Sequence, residues 1–532
     1  MTQSKAIKIM SGEIAGILAD RSPSIYICGS VALNDFKPGW SDIDILVLTQ
    51  KEMSRERAET LVNYRQKLLE RYPGNPYFRL FEGGILSLNA FVTKAPATVV
   101  YWGTSGQRLA DKYDFNSFSM LELLDSGVLV FGVDIRGGLT RPAYGDLRRD
   151  AARHYDAVRK HGKGVGWLLD IARCIYTLRT GKIIAKTRAG EWALEQGLCP
   201  AAQSLEYALK ARKEPAKYDR KDISEKLVAD IQAFADVLKN EFASTVGLFA
   251  EAELREMSTS FDKLTEMQYK DGVSLWRVKD GERSFVLKCF DAEDYRREIG
   301  NYQILASLGV PTLSVAAHTS ASILLEDIEQ SEYRLGIELD LVSADTAALI
   351  AKWYRKLHEN GKSYAQTHEL YDETDVITPE NLQKVKEKTN TADLPVWTEI
   401  ENNFDCIIAA IKAPPRTLTY NDFYYTNLAV KRDGGAAIMY DYNLLGKGYA
   451  YSDVRNVCSS LGSEAKAAFL TAYGAFDERE ILVDDVAGVL TTLHFACKRE
   501  HFPKWAGETL RKMTSGELSA AVRDLLNAEK RR

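Results

Sequence analysis

Two aspartates stand two residues apart at the start of an apolar run. They are Asp42 and Asp44 in the stretch GWSDIDILVL. A β-strand has a period of two, so both carboxylates of such a pair point to the same face. Because like charges repel and a carboxylate in an apolar strand costs free energy, the pair has little structural value. Two oxygen ligands on one face suit a hard divalent cation, and the pair therefore predicts a Mg²⁺ site.

Two further features complete the first candidate site. Gly29 lets the backbone approach a phosphate closely, and Ser30 adds a hydroxyl beside backbone N–H groups where a helix would begin. Glu82, in RLFEGGILSLNAF, stands at the mouth of the next predicted strand. We predict that Glu82 is the general base for a hydroxyl that attacks a metal-bound triphosphate. A capped or solvated turn is the ordinary interpretation of an isolated Asp-x-Asp, but the combination favours chemistry.

A second set of polar residues lies towards the end of the chain. Asp422 and Asn427 stand in LTYNDFYYTNLAV, and Asp441 ends an apolar run in IMYDYN. Kinase-like phosphotransferases use this spacing for a hydroxyl-orienting aspartate, a metal-binding asparagine and a second metal-binding aspartate. The three residues predict a phosphoryl-transfer site.

Residues upstream of this set fit a nucleotide site. Lys288, in the predicted strand SFVLKCF, is expected to hold the α- and β-phosphates, and Glu298 on the following predicted helix is expected to fix it by an ion pair. The segment ILLEDI, with Glu326 and Ile328, suits a hinge that binds adenine through backbone groups. Each residue alone has an ordinary structural interpretation, and it is their order along the chain that indicates the function.

The elements that must position these residues follow from the apolar pattern. Residues 1–145 alternate helical patterns with short apolar runs at 25–28, 43–48 and 84–91, and from 146 to about 246 the period is helical throughout. A predicted hairpin then turns at Lys-Asp-Gly, followed by a mainly helical region with two short strands. These changes predict an α+β multidomain chain with domains at 1–145, 146–248, 252–330 and 331–532.

Composition limits the function classes. The chain has 532 residues and a formal net charge of -5, and no basic stripe or aromatic-rich basic motif typical of nucleic-acid binders. Neither an apolar run of membrane-spanning length nor an apolar signal core is visible, so we expect a cytoplasmic protein with no membrane partner. The seven cysteines are scattered without a C-x-x-C arrangement, which indicates neither a zinc site nor a disulfide framework.

The first half resembles a known family. GSVALNDFKPGWSDIDILV is similar to the Gly-Ser…Asp-x-Asp signature of nucleotidyltransferases, specifically the streptomycin and spectinomycin adenylyltransferases, over residues 1 to about 246. The segment DIARCIYTLRTGKIIAKTRAGEWAL is similar to their helical second domain. The resemblance implies that Arg173 and Lys186 reach the triphosphate. Without it, a solvated helix face would be the default interpretation of these two cations.

One helix departs from that family. His154, Arg159 and Lys163 occupy places where we expect an aromatic residue and acidic residues that contact streptomycin. This departure argues against streptomycin as the substrate.

The second half, from about 255 to 532, resembles the aminoglycoside phosphotransferase and choline kinase family, which has the protein-kinase-like fold. Tyr420 stands where that family usually has histidine. The sequence before Lys288 has no G-x-G-x-x-G motif, and Gly272 is the glycine found in the corresponding region. His358 resembles a packing histidine of the large lobe. The acidic run at 371–375 is interpreted as a surface loop, with a pocket for a polycation as the alternative.

The expected protein is a fusion of two Mg²⁺-dependent transferases that modify hydroxyls of aminoglycoside-like, polycationic antibiotics. The first half transfers an adenylyl group from ATP and the second a phosphoryl group from ATP or GTP. One alternative is a regulatory or toxin-type protein adenylyltransferase with a kinase-like binding module, and another is a choline-like kinase fused to a nucleotidyltransferase. An RNA-tailing nucleotidyltransferase shares the first motif, but the acidic chain argues against it.

Overall fold

The chain folds into two compact units in a computed structural model that describes residues 1–103, 106–218 and 224–531. None of the helices in these ranges combines the length and apolar character that a membrane span requires. The first unit consists of Met1–Ser260, Glu266–Ser274 and Cys289–Ala292, and the second of Phe261–Thr265, Leu275–Lys288 and Glu293–Arg532. The predicted domain boundary at 248–252 stays a prediction.

The first unit begins with a mixed sheet and continues with helices. Its strands are β1 Ser24–Ile27, β2 Ile43–Thr49, β3 Phe81–Ser87, β4 Val99–Gly103, β5 Gly106–Ala110 and β6 Val128–Phe131. Its helices are α1 Gln3–Ile17, α2 Gly29–Ala32, α3 Arg55–Arg71, α4 Leu88–Thr93, α5 Ser117–Ser126, α6 Tyr144–His161, α7 Gly166–Thr180, α8 Lys186–Glu195, α9 Ala202–Lys213, α10 Glu225–Ser244 and α11 Val246–Glu256.

The sheet order is β5-β4-β3-β2-β1-β6, in which β2 and β3 run parallel and the other neighbours antiparallel. The buried residues of β1 and β2 are mostly isoleucine, leucine and valine, which fit a pleated and packed surface. The parallel register places Asp44 opposite Glu82. The predicted strand at 84–91 is partly wrong: it ends at Ser87, whose hydroxyl accepts from the Ala90 N–H at 3.2 Å and caps α4.

Helices α6 to α10 enclose their own apolar core. Leu168, Ile171, Ile175 and Leu178 of α7 are fully buried in it, at the spacing of one helix face. This core confirms the helical period predicted after residue 146, and it fixes α7 and α8 as a rigid support for the charged residues that they carry.

A buried ion pair of the first unit joins α6 to the segment that follows β9. The guanidinium of Arg148 bonds both carboxylate oxygens of Asp291, with Nη2–Oδ2 at 2.7 Å, and also the Thr245 hydroxyl at 2.7 Å and the Phe242 carbonyl at 2.8 Å. The Arg148 side chain is 0% exposed and that of Asp291 is 8% exposed. A charge so far from water needs all of these partners.

Asp291→Ala is expected to destabilise the first unit by about 3–5 kcal/mol, because it leaves the Arg148 cation buried without a counter-charge. Thermal unfolding of the full chain measures the effect. Asp236→Ala is the matched control, since Asp236 pairs with Arg159 at the surface, where such pairs contribute about 0–1 kcal/mol. Equal shifts in the two variants would show that the buried pair has no special role.

Most strands and helices after residue 260 belong to the second unit, but Glu266–Ser274 and Cys289–Ala292, which include parts of the first three of these strands, belong to the first unit. The strands from residue 263 onwards are β7 Lys263–Lys270, β8 Val273–Asp280, β9 Arg283–Phe290, β10 Val315–His318, β11 Ser322–Glu326, β12 Tyr333–Leu335, β13 Thr417–Thr419, β14 Leu428–Lys431, β15 Ala437–Met439 and β16 Gly446–Gly448. The helices are α12 Arg297–Ser307, α13 Ala344–Thr367, α14 Pro379–Thr389, α15 Pro395–Asn402, α16 Phe404–Lys412, α17 Ala450–Ser460, α18 Ser463–Tyr473, α19 Glu478–Cys497, α20 Gly507–Thr514 and α21 Glu517–Lys530.

A five-stranded sheet, β10-β11-β9-β8-β7, is followed by the small sheets β12-β14-β15 and β13-β16 among the helices. The predicted hairpin is confirmed, with Gly281 at a φ of 60° between β8 and β9. His358 of α13 is buried, its Nδ1 2.8 Å from the Tyr473 hydroxyl and its Nε2 3.0 Å from Asp453 Oδ2. These contacts give it the structural position expected from the sequence.

Candidate active sites

The first candidate site lies where β2 begins. Asp44 is on β2 beside Glu82 of β3, and Asp42 immediately precedes the strand. Gly29, at a φ of 60°, begins α2, and a Cβ there would lie 1.9 Å from Asp44 Oδ2. Only glycine leaves room for the carboxylate, so α2 and the aspartate pack directly together. Ser30 bonds back to the Asp42 carbonyl at 3.3 Å.

Asp44 is surrounded by negative charge. The pKa of Asp44 is raised to about 7 by burial together with repulsion from the carboxylates of Glu122, Asp42 and Glu82, while Lys186 acts in the opposite direction. Such a concentration of acidic groups is unfavourable by itself and becomes favourable when a cation neutralises it.

Mg²⁺ fits this arrangement. Among the described residues, no group of three or more histidine, cysteine, aspartate or glutamate side chains is placed to hold a metal ion. In proteins, Mg²⁺ usually takes one or two carboxylates and completes its shell with water and substrate phosphates. Asp42 and Asp44 supply that number of carboxylates, so the donor set suits Mg²⁺ bound together with a triphosphate.

Arg173 and Lys186, the two cations expected at the triphosphate, are both held by carboxylates. Arg173 Nη1 lies 2.6 Å from Glu122 Oε1, and Lys186 Nζ lies 2.6 Å from Asp170 Oδ1. Burial acts to raise the pKa of Asp170, but Lys186 and Arg173 hold that pKa below its ordinary value. Neither partner was predicted from the sequence. Glu122 stands in no recognised motif, and Asp170, which opens the segment DIARCIYTLRTGKIIAKTRAGEWAL, had no assigned role until the packing of α5, α7 and α8 showed it.

Asp44 and Glu122 line two cavities of the first unit. One cavity also contains Arg173 and Lys186, and the other contains Glu82, whose Oε1 accepts from the Tyr101 hydroxyl at 3.1 Å. The cavity that contains Arg173 and Lys186 and the cavity that contains the candidate base therefore share the carboxylates of Asp44 and Glu122.

The three departures from the streptomycin pattern lie in different places. His154 lines the cavity with Arg173 and packs against Trp167 at 5.4 Å between ring centroids. Its Nε2 atom is buried and has no hydrogen-bond partner among the described residues. Lys163 lines a neighbouring cavity with Trp167. Arg159 instead bonds the Tyr155 hydroxyl at 2.9 Å on the exposed side of α6.

The second candidate site follows β13. Asp422 lies in the loop after this strand, and Asn427 Nδ2 donates to Asp422 Oδ2 at 3.0 Å and to its carbonyl at 3.2 Å. The pKa of Asp422 is raised to about 6, chiefly by burial and also by repulsion from Asp441, while the bond from Asn427 opposes the shift. The structure thus brings together the three residues predicted for hydroxyl orientation and metal binding.

Asp453 holds the loop in position. Its carboxylate accepts the Tyr420 N–H at 2.8 Å and the Asn421 N–H at 2.9 Å. The Tyr420 hydroxyl donates to the Tyr440 carbonyl at 2.5 Å, next to Asp441. Tyr420, which departs from the usual histidine of the family, therefore links the two loops that carry the aspartates.

Lys288 bonds two carboxylates, and the sequence predicted one of these pairs, the one with Glu298. Its Nζ lies 2.6 Å from Glu298 Oε2 and 2.9 Å from Asp441 Oδ1. Burial opposes its charge, but the two carboxylates hold the pKa of Lys288 above its ordinary value. Asp441 adopts a φ of 62°, a left-handed conformation uncommon for residues other than glycine.

The predicted hinge lies at the end of β11. Glu326 ends the strand and its Oε1 accepts from the Ser314 N–H at 2.7 Å, while Ile328 begins a 3₁₀ turn. Gly272 forms the turn between β7 and β8 at a φ of 76°. The nucleotide-binding roles of Glu326 and Ile328 stay predictions.

Three family models match the chain. The nucleotidyltransferase domain matches residues 13–78, the aminoglycoside adenylyltransferase C-terminal domain matches 148–241, and the phosphotransferase enzyme family matches 267–485. These matches confirm both resemblances inferred from the sequence and the predicted fold, in which a nucleotidyltransferase domain precedes a kinase-like one.

Solved structures show only distant similarity. Choline kinase LicA from Streptococcus pneumoniae is 13% identical with a TM-score of 0.39, over 52% of this chain and 99% of that chain. Spectinomycin adenyltransferase AAD(9) from Enterococcus faecialis, solved with ATP and spectinomycin, is 19% identical with a TM-score of 0.35, over 45% and 100%. Spectinomycin phosphotransferase APH(9)-Ia is 12% identical with a TM-score of 0.33, over 52% and 98%.

No curated protein matches the chain in sequence. Identities and TM-scores this low carry no argument about substrates, so the assignment rests on the family models. They identify the chain as a transferase that combines a nucleotidyltransferase domain and an aminoglycoside adenylyltransferase C-terminal domain with a domain of the phosphotransferase enzyme family.

Proposed function

We propose that the chain is a bifunctional antibiotic-modifying enzyme, whose first unit adenylylates and whose second unit phosphorylates a hydroxyl of an aminoglycoside-type molecule. The observation that supports this most directly is the placement of Asp44 between two cavities. One cavity offers cations for a triphosphate and the other offers Glu82 for an attacking hydroxyl. In-line attack on a phosphate requires these two environments to meet at the metal-binding carboxylates.

In the first unit, Asp42 and Asp44 would hold Mg²⁺, which when bound neutralises charge on the triphosphate. Arg173 and Lys186 bind phosphate oxygens, and the α2 N-terminus at Gly29 and Ser30 offers backbone N–H groups for the same purpose. Glu82 takes the proton from the acceptor hydroxyl, and the bond from Tyr101 orients its carboxylate.

In the second unit, Asp422 orients the acceptor hydroxyl and accepts its proton, while Lys288 binds the α- and β-phosphates of ATP or GTP. Asn427 donates its amide N–H to Asp422, which leaves its amide oxygen as a ligand that would hold Mg²⁺, and Asp441 would supply the second metal oxygen. Glu298 keeps Lys288 charged and fixed in position.

The test is mass spectrometry of an antibiotic panel after incubation with Mg²⁺ and either ATP or GTP. The panel includes spectinomycin, streptomycin, kanamycin and choline. A nucleotidyl adduct assigns the chemistry of the first unit and a phosphoryl adduct that of the second. Unmodified small molecules together with an adenylylated protein would replace our proposal with that of a protein-modifying enzyme.

Asp42→Asn is expected to weaken Mg·ATP binding to the first unit, because it removes an anionic ligand of the metal. Calorimetric titration in an Asp441→Asn background, which suppresses the second nucleotide site, measures the affinity. Titration with ATP in EDTA serves as the control, and there the substitution should not lower the affinity, because it removes a carboxylate that repels the metal-free triphosphate. A Mg·ATP affinity unaffected by Asp42→Asn would exclude this aspartate as a metal ligand.

A further inference from the structure

A buried polar cluster connects the loop after α2 to α8 and α9. At its centre is Asp35, which is 5% exposed. Asp35 Oδ1 accepts from the Thr187 hydroxyl at 2.6 Å, and Oδ2 accepts from the Thr187 N–H at 3.2 Å and from Arg212 Nη2 at 2.8 Å. Arg212 Nε also donates to the Thr187 hydroxyl at 3.1 Å. Because all three residues are buried and bonded to one another, the cluster holds three segments of the first unit together.

Asp35 takes the place of a missing cap on α8. The residue before this helix is Ala185, whose side chain makes no capping hydrogen bond. Such a cap would ordinarily bond the N–H of the second or third helical residue, and here Asp35 accepts from the second, Thr187. A carboxylate also interacts favourably with the positive end of the helix dipole. The start of α8, including Lys186, is therefore fixed by a residue that precedes Thr187 by 152 positions.

The other end of the cluster is bound to the metal-binding side of the cavity. The Asp35 N–H donates to the Ser30 carbonyl at 2.8 Å, which fastens the loop to α2. Gly29, the first residue of α2, packs directly against Asp44. Contacts therefore run from Asp44 through α2 and Asp35 to the start of α8. Asp35, Asp44 and Lys186 line the same cavity.

Lys186 depends on its backbone for its position. Its side chain is 35% exposed, and its Nζ contacts Asp170, a partner that a triphosphate would displace. A lysine side chain is flexible, so the region that its ammonium can reach is determined by where the helix begins. Burial acts to raise the pKa of Asp35, but the hydrogen bonds from Thr187 and Arg212 hold that pKa below its ordinary value. The residue that fixes the helix therefore stays charged at neutral pH.

We propose that Asp35 is a positioning residue of the first unit, which caps α8 and so holds Lys186 at the distance from the metal-binding aspartates at which both contact one triphosphate. Arg212 neutralises the buried carboxylate, and Thr187 joins it to α8 through its backbone and its hydroxyl. This inference rests on the proposed adenylyltransferase site, and it deepens that proposal by naming the group that aligns its nucleotide-binding parts.

The test is a double-mutant cycle for Mg·ATP binding by the full chain, measured by calorimetry in the Asp441→Asn background. Asp35→Asn keeps the shape of the side chain and removes its charge, and it is made both with Lys186 and with Lys186→Gln. Because loss of a buried counter-charge can prevent folding, Thr187→Val is made in the same two chains, since it removes only a hydroxyl. Thr187→Ser restores the hydroxyl.

Asp291→Asn is the matched control. Asp291 and Arg148 form the other buried aspartate–arginine pair described above, with side chains 8% and 0% exposed, against 7% and 3% for Asp35 and Arg212. Asp291 does not line the cavity that contains Lys186. Its substitution therefore reports the effect of losing a buried ion pair of the first unit without losing the cap of α8.

With Lys186 present, Asp35→Asn is expected to weaken Mg·ATP binding by about 10-fold and Thr187→Val by about 3- to 10-fold, whereas Thr187→Ser should stay within about twofold. In the Lys186→Gln chain neither Asp35→Asn nor Thr187→Val should change the affinity by more than about twofold, because residues that act through one another are not additive. Asp291→Asn should change the affinity by the same factor in both chains.

Losses of the same factor with and without Lys186 would overturn the inference, because Asp35 would then act through general stability. An affinity unchanged by Lys186→Gln alone would overturn it as well, since there would be no phosphate-binding cation to position. Coupled losses in Mg·ATP binding without any nucleotidyl adduct on a small molecule would contradict the proposed function and leave this inference intact.

Discussion

Asp422→Asn is expected to eliminate phosphoryl transfer and to leave adenylyl transfer within about twofold of the unmodified chain. Loss of a group that orients and deprotonates a hydroxyl typically lowers the rate by about 10² to 10⁴. Every residue assigned to adenylyl transfer belongs to the first unit, whereas Asp422 belongs to the second. Sites without shared partners behave additively.

Both products can be quantified in one reaction by mass spectrometry of the modified acceptor. The matched control is Asp433→Asn, an exposed aspartate that follows β14 in the same unit, which should retain both activities. If Asp422→Asn reduces both reactions, the two active sites depend on one another and the description of two independent transferases must be abandoned.

Glu82→Ala is expected to abolish adenylyl transfer, with a loss of about 10² to 10⁴ in rate, while Mg·ATP still binds. Glu82 lines the cavity that does not contain Arg173 and Lys186, and its role is to take a proton rather than to hold the nucleotide. Single-turnover adenylylation measures the chemical step, and calorimetry in the Asp441→Asn background measures nucleotide affinity.

Tyr101→Phe separates the effect of losing the base from the effect of losing the hydrogen bond that orients it. It removes the hydrogen bond to Glu82 and keeps the aromatic ring, so a loss of less than about 10-fold is expected. Adenylylation by Glu82→Ala at the rate of the unmodified chain would remove Glu82 from the mechanism. A large loss of Mg·ATP affinity in the same variant would instead assign it to the metal site.

Local pattern was sufficient for much of the fold. The short apolar run at 43–48 predicted β2, the helical period predicted α7, and the Lys-Asp-Gly turn predicted the β8–β9 hairpin. The strand at 84–91 was predicted too long because the apolar residues continue into α4. Only the N-cap bond of Ser87 marks the change, and apolar content alone does not distinguish a short helix from a strand.

Site residues could be predicted from the sequence where they belong to a motif. They could not be predicted where only tertiary packing brings them together. The Lys288–Glu298 pair follows from a spacing that is local in the chain, and the structure brings both groups together. Arg148 and Asp291 are 143 residues apart, and Arg173 and Glu122 are 51 residues apart. Single-sequence reasoning has no means of pairing such charges, because their proximity depends on the tertiary fold.

The carboxylates that hold Arg173 and Lys186 have a consequence for how ligands compete. Glu122 and Asp170 already satisfy these cations, so an incoming triphosphate exchanges one anion for another instead of filling an empty positive site. The measured free energy of binding is then the difference between the free energy of the ion pairs that form with the triphosphate and that of the ion pairs that are broken. Small anions such as sulfate or inorganic phosphate gain little from displacing the protein's own carboxylates. Salt screens the ion pairs that are broken as well as those that are formed. Nucleotide affinity should therefore vary less with ionic strength than at a site whose two cations are exposed and have no carboxylate partners.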